Sequence, residues 1–313
     1  MKTEISDKYK EIDKLLVKAK ILGVLTEIPL YRGNSCYLIN RRNGNYDIVI
    51  PADVKYINKD NDKSYLSEFL RRIPNKSIIK VYGGYGLVDA NSMFDHLFCN
   101  ELDLSDFDTQ NVINMINMFY KANINHIEFG RFDTHNVLSM QCMFADFSCQ
   151  SKLDITFKLC DQLYQLFFGA NIKELTFSKQ QDTLNFYARQ MFFGATINKL
   201  SMSGFDTSNM SDMPNMFTGA SIKKLDIHNF KTSKVESMES MFYGANIKHL
   251  DIRCFTPEKL KYAEHMFESF NADWIKAYGL KNANSNVIKQ INSTCGAPIF
   301  FSENEYKRYI SKE

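Results

Sequence analysis

The stretch FDTSNMSDMPNMF, residues 205–217, returns with small changes as FDTQNVINMINMF at 107–119 and FDTHNVLSMQCMF at 132–144. Recurrence at fixed spacing marks a repeat architecture in which each copy is one structural unit. The closing pair, Met-Phe or once Leu-Phe, begins at 93, 118, 143, 166, 191, 216, 241 and 266, so the step is 25 residues except for one of 23. Between successive pairs sits an apolar-x-apolar triplet, from Leu102/Leu104 through Leu225/Ile227 to a weaker Ile275/Ala277.

Within one unit the period changes. KKLDIHNF at 223–230 alternates as a short strand does, with Leu225 and Ile227 inward and Asp226 and His228 outward. Met210, Met213, Met216 and Phe217 then stand at i, i+3, i+6 and i+7, the stripe of a helical or 3₁₀ segment filled by adaptable thioethers. Asp206 and Thr207 are placed to cap its free backbone N–H groups. Asn111, Asn136, Asn185 and Asn209 are expected to bond loop backbone between coils. Gly169, Gly194, Gly219 and Gly244 fall where a left-handed helix terminator is needed. The pattern predicts an α/β repeat with strands stacked in parallel and short helical segments on the opposite side. One unit buries too little apolar surface to offset the entropy of ordering it, so each copy must complete its neighbour. The coil between Phe144 and Leu166 gains one residue before its strand and loses three after it, and an irregularity is expected there.

The period covers 78–277, a solenoid of about eight coils. Residues 1–77 read as a small α/β capping domain. Tyr9, Ile12, Leu16 and Ala19 mark a first helix, Asn43-Gly44 a hairpin turn, and Leu66, Phe69, Leu70 and Ile73 a second helix over 62–73 ended by Pro74. Residues 278–313 read as a C-terminal cap, with Ser302 and Glu305 forming a capping box.

A formal charge of +2 supplies no global field toward nucleic acid or an anionic membrane, so no direct nucleic-acid partner is expected. No apolar run approaches a membrane span. Seven cysteines form an odd set without CxxC spacing, which suits reduced thiols. The start, MKTEISDKYKEIDKLL, lacks the apolar core of a secretory signal, and the expected location is the cytoplasm. No GxSxG or HExxH is present, and YGGYGLVD at 82–89 lacks the spacing of a phosphate loop and reads as a tight turn. No catalytic residue, cofactor or metal is expected.

On the FDTxNV phrase, the Met-Phe pair and triplets such as Leu102-Asp103-Leu104, residues 78–277 resemble the BspA-like leucine-rich repeats of bacterial surface proteins. The resemblance implies a right-handed leucine-rich-repeat-like solenoid that binds proteins or host surfaces without catalysis. Leaderless relatives look like products of Gram-positive bacteria or their prophages, which implies a binding role inside a cell.

Alternation identifies the outward strand residues. The central row reads Asp103, Glu128, Asp154, Thr176, Ser201, Asp226, Asp251 and Lys276, and the flanking row Glu101, His126, Lys152, Glu174, Lys199, Lys224, His249 and Trp274. Acidic neighbours about 4.8 Å apart repel by about 1 kcal/mol per pair even in water, so the five central acids form either a solvated face or a strip that recognises a basic protein surface. The candidate partner-binding residues are Asp103, Glu128, Asp154, Asp226, His228, Asp251, Arg253 and Trp274. Trp274, with Tyr278 nearby, either anchors a partner or covers the final coil. The expected function is a non-catalytic protein-binding scaffold. Its sharper form is an inhibitor from a phage or mobile element that blocks a host nucleoprotein complex. The competing reading is a surface adhesin or extracellular structural protein whose export signal is missing.

Overall fold

The computed structural model describes residues 2–30, 34–57, 65–130, 132–156, 158–160, 163–177 and 188–311, without the side chains of 2–9, 65, 293 and 294. The chain is a parallel-sheet solenoid of about eight turns. It divides into two compact units, Met1–Phe144 with Ser148–Gln150, and Ala145–Phe147 with Ser151–Glu313. The division falls in the coil whose length departs from the repeat.

In the first unit, helix α1 (Lys2–Ile21) lays Ile12 and Ala19 against Ile39 and Val49. Strands β1 (Leu25–Pro29), β2 (Ser35–Asn40) and β3 (Tyr46–Ile50) pair antiparallel, and Gly44, with φ +83°, turns the β2–β3 hairpin as Asn43-Gly44 predicts. Helix α2 spans only Tyr65–Leu70, and the expected start at 62 lies outside the described residues. From β3 onward pairing is parallel, through β4 (Ile78–Gly83), β5 (Phe98–Phe107) and β6 (Asn123–Glu128). Strand β7 (Ser148–Ile155) crosses the boundary. The second unit stacks β8 (Asn171–Phe177), β9 (Thr196–Ser201) and β10 (Ser221–Asp226) in parallel. Strands β11 (His249–Asp251), β12 (Trp274–Lys276) and β13 (Ile299–Phe300) follow as a three-stranded parallel sheet. A 3₁₀ turn at Tyr278–Asn282, helix α3 (Ser285–Thr294) and helix α4 (Glu303–Ile310) complete the chain. Half of the expected capping box is present: Ser302 accepts from the Glu305 amide at 3.3 Å, while Glu305 accepts from the amide of Phe301, one residue before the cap, at 2.8 Å.

Opposite the strands, the methionine stripe forms a run of turns rather than a continuous helix. Amides alternate between two destinations. Asn215, Phe217 and Gly219 donate to Glu239, Met241 and Tyr243 of the following coil at 2.7–2.9 Å, while Thr218 and Ala220 donate three residues back within their own coil. The first unit repeats this, with Ser92, Phe94 and His96 bonding Ile116, Met118 and Tyr120. An apolar stripe at three-residue spacing suits successive three-residue turns as well as a helix, which is why periodicity alone did not separate them. The alternation needs two left-handed residues per coil, such as Asn215 (φ +56°) and Gly219 (φ +65°). Gly169, Gly194, Gly219 and Gly244 are therefore left-handed as expected, but they shape a turn between coils instead of ending a helix.

The recurring phrase divides its work by residue. Asp206 accepts the Ser208 amide at 3.0 Å and closes a local turn. Thr207, fully buried, donates to the Lys231 carbonyl at 3.1 Å and accepts the Lys231 amide at 2.7 Å, so the threonine staples coil to coil rather than capping a helix. Asn111 and Asn136 donate to Tyr85 and Gln110 of the preceding coil at 2.6 and 2.7 Å. Asn209 accepts from Lys234 Nζ at 2.6 Å, and Asn185 lies outside the described residues. The Met-Phe phenylalanines are fully buried and stacked on one another. Phe94, Phe119 and Phe144 stack at 5.4 and 5.1 Å, and Phe167, Phe192, Phe217, Phe242 and Phe267 at 5.3–5.6 Å. Ile227 and Met213 are buried with them, while Leu225 is half-buried.

Phe217→Ala removes a ring stacked on both sides and should lower unfolding free energy by about 3–5 kcal/mol in denaturant titration. Gly219→Ala meets only ordinary van der Waals contact with the Gly194 backbone at 3.9 Å and is expected to lose about 1–2 kcal/mol through its left-handed backbone. A loss below about 1 kcal/mol for Phe217→Ala would contradict the shared aromatic interior.

Candidate functional site

The outward face of the strands is set by an interrupted alternation. In β8, Ile172, Leu175 and Phe177 are buried while Lys173, Glu174 and Thr176 point outward, and β9 repeats the step of two consecutive outward residues. Pairing holds equivalent residues in line: Glu174 opposite Lys199 and Thr176 opposite Ser201, then Lys199 opposite Lys224 and Ser201 opposite Asp226. In the first unit Glu101 faces His126 and Asp103 faces Glu128, and at the far end His249 faces Trp274 and Asp251 faces Lys276. The expected rows therefore hold over β5–β6, over β8–β10 and over β11–β12, and a third lies beside them: Asn100 and Asn125 in the first unit, and Lys173, Asn198, Lys223 and Lys248 in the second. The sequence signal for it is the three-residue gap between inward Ile172 and Leu175, where alternation alone would place the second inward residue two positions on.

The carboxylates of the central row have partners of their own. Asp103 meets Lys80 Nζ at 3.2 Å, and the same ammonium reaches Asp106 at 2.8 Å. Lys80, on β4 directly opposite Asp103, lies one strand before the expected row and was missed for that reason. Asp154 meets Lys152 at 3.2 Å. Asp226 contacts His228 Nδ1 and accepts from Ser201 Oγ at 3.3 Å. Asp251 takes a forked contact from Arg253, with Nε at 2.9 and 3.0 Å and a terminal nitrogen at 2.7 Å. Several acids also hold the chain as it leaves the strand: the amides of Ser105, Gly130, His228 and Arg253 each donate to the acidic side chain two residues earlier. Among the described ion pairs, Glu128 makes none.

These contacts set the acidities. Burial alone would raise the Asp103 carboxyl, but hydrogen bonds from Ser105 and Lys80 outweigh it and hold the group below the usual carboxylate range. At Asp226 burial is likewise outweighed, by His228 and Ser201. The Lys199 ammonium, 2.7 Å away, lowers Glu174. The thiols behave oppositely: burial pushes Cys36 and Cys99 up to about 12, far from a thiolate nucleophile at neutral pH. Among the described residues, no group of three or more His, Cys, Asp or Glu is arranged to hold a metal ion. No described helix is long and apolar enough to cross a membrane.

Trp274 is built into the end of the second unit. Its ring stacks on His249 at 4.9 Å and meets Tyr306 of α4 edge-on at 5.4 Å. Lys276 Nζ lies 4.9 Å from the Trp274 ring centre and 3.6 Å from that of Tyr306. Arg253 lies over Tyr278, whose hydroxyl donates to Glu303 at 2.7 Å. The C-terminal segment thus lies against the last outward residues, including Arg253 and Trp274.

Coils joined by stacked rings and crossing amides, with side-chain rows displayed on one sheet face, define a repeat-solenoid protein. Two overlapping segments, 75–176 and 161–278, match the family described as "Mycoplasma protein of unknown function, DUF285", and the chain belongs to that family. No curated protein and no solved structure matches it.

The Lys80 contact has a pH signature. Stability from the depressed Asp103 carboxyl is present above the unfolded aspartate range and disappears as pH falls through the lower folded value. Lys80→Met should lower unfolding free energy by about 1–2 kcal/mol at pH 7, between exposed and buried pairs. The deficit should shrink by pH 3. A deficit equal at both pH values in urea titration would show that the ion pair is not its source.

Proposed function

We propose that this chain is a non-catalytic protein-binding scaffold and that the outward sheet face is its docking surface. One observation carries the reading. Most inward strand residues and the turn-side Met-Phe pairs are buried, while Lys173, Asn198, Lys199, Lys223 and Lys224 of β8–β10 are exposed and in register over successive coils. A rigid surface of this kind offers a macromolecule many weak contacts at fixed spacing, and a parallel stack loses little entropy when it binds. The resemblance of the FDTxNV and Met-Phe phrases to BspA-like repeats supports a protein-contacting role. The raised Cys36 and Cys99 thiols favour this reading over nucleophilic chemistry.

The face can be blocked without altering charge. Asn198→Trp places bulk at an exposed position in the middle of β9, while Tyr243→Ser changes an exposed residue on the turn side. In affinity capture from lysate of the source cells, a specific protein retained by wild type and by Tyr243→Ser should be lost with Asn198→Trp. Retention by Asn198→Trp, with loss confined to Tyr243→Ser, would move the docking surface to the other side.

A further inference from the structure

The charges that remain uncompensated on the second unit's face have a different sign from its conspicuous acids. Asp154, Asp226 and Asp251 are engaged by Lys152, His228 and Arg253. On the strand residues just N-terminal to that row stand Lys173, Lys199, Lys223, Lys224 and Lys248, all exposed. Among the described residues, only Lys199 of these five has a carboxylate, Glu174, at 2.7 Å. Lys173, Lys223, Lys224 and Lys248 make no ion pair among the described residues. Ser221 pairs with both Thr196 and Asn246, which puts Lys223 and Lys248 in one row, and Lys224 stands directly opposite Lys199 in the other. Like charges held about 4.8 Å apart by the sheet spacing repel one another, and a bound polyanion relieves that repulsion.

We propose that these lysines form a track for an extended acidic segment of a partner protein, an inference that rests on the scaffold reading and names the partner's chemistry. From Lys173 to Lys248 the track crosses three coil steps, about 14 Å, the reach of four or five residues of extended chain. Such a chain places alternate side chains on one face about 7 Å apart, so three glutamates at every second position span the track of about 14 Å within reach of its long lysine side chains, though not one per coil. The track is narrow. Asp226 and Asp251 lie two or three positions further along the chain, and a duplex nucleic acid would overlie them. Single-stranded nucleic acid gains much of its affinity by stacking on aromatic rings, and the lysine rows carry rings only at their far end, where His249 and Trp274 stack on each other. The nearest ring, Trp274, is already covered by His249 and Tyr306.

The test uses the full chain and fluorescence anisotropy with three labelled probes: a twelve-residue peptide alternating Glu and Ala, the same peptide with Gln for Glu, and a single-stranded RNA of equal charge. The expected result is binding of the Glu peptide that weakens with salt, at least tenfold tighter than the RNA, with no binding of the Gln peptide. Lys223→Gln with Lys224→Gln should weaken it at least tenfold, and adding Lys173→Gln and Lys248→Gln should abolish it. Lys307→Gln, on α4, should change nothing. An unchanged melting curve for the four-fold variant establishes that folding is intact. Binding of the Glu peptide that survives in the four-fold variant, absence of such binding in wild type, or tighter binding of the RNA would each overturn the assignment. If the peptide fails while lysate capture still depends on Asn198, the scaffold reading stands and only the lysine track falls.

Discussion

The structure depends on contacts that no coil can make alone: phenylalanine rings stacked at little over 5 Å, and backbone amides that leave their own coil to bond the next. A helix keeps its hydrogen bonds within one segment. Here roughly every second amide on the turn side is donated to a neighbour, so coils are bonded on the turn side as well as through the sheet. The buried threonines of the FDT phrase add a third line of bonds. The left-handed residues that this geometry demands explain why small or amide-bearing side chains recur before Met-Phe and glycine recurs after it.

This cohesion also makes the surface. Because the coils are held in register, outward residues 25 positions apart stand side by side, and sequence distance becomes spatial adjacency. Rows of charge then interact laterally, and local pairs decide what a partner meets. Lys80, Lys152, His228 and Arg253 engage acids that stand out in the sequence, while most of the lysines within β8–β10 and just before β11 make no ion pair among the described residues. On the second unit's face the acids of the central row have partners two positions away along the chain, while most of the lysines beside them make no ion pair among the described residues.

The sequence made the repeat, the parallel stack, the hairpin at Asn43-Gly44 and the Ser302 cap of the last helix legible, because each rests on periodicity or on local chemistry confined to a few residues. The turn side was less legible, since Met210, Met213, Met216 and Phe217 have the same spacing whether their amides bond within the segment or across coils. The face was legible in its rows but not in its balance. Formal charges can be counted along a chain, whereas the pairing of Asp103 with Lys80 depends on a strand outside the recognisable repeat, and the lysine row depends on the two-residue outward step between Ile172 and Leu175.

The most direct measurement is native-state hydrogen exchange of single amides in the second unit. If coils are bonded across the turn side, the amides of Phe192, Gly194, Phe217 and Gly219 must open with free energies matching those of the β9 and β10 strands. Exchange of these four at the rate of unprotected loop amides, beside protected strands, would contradict the account at its base.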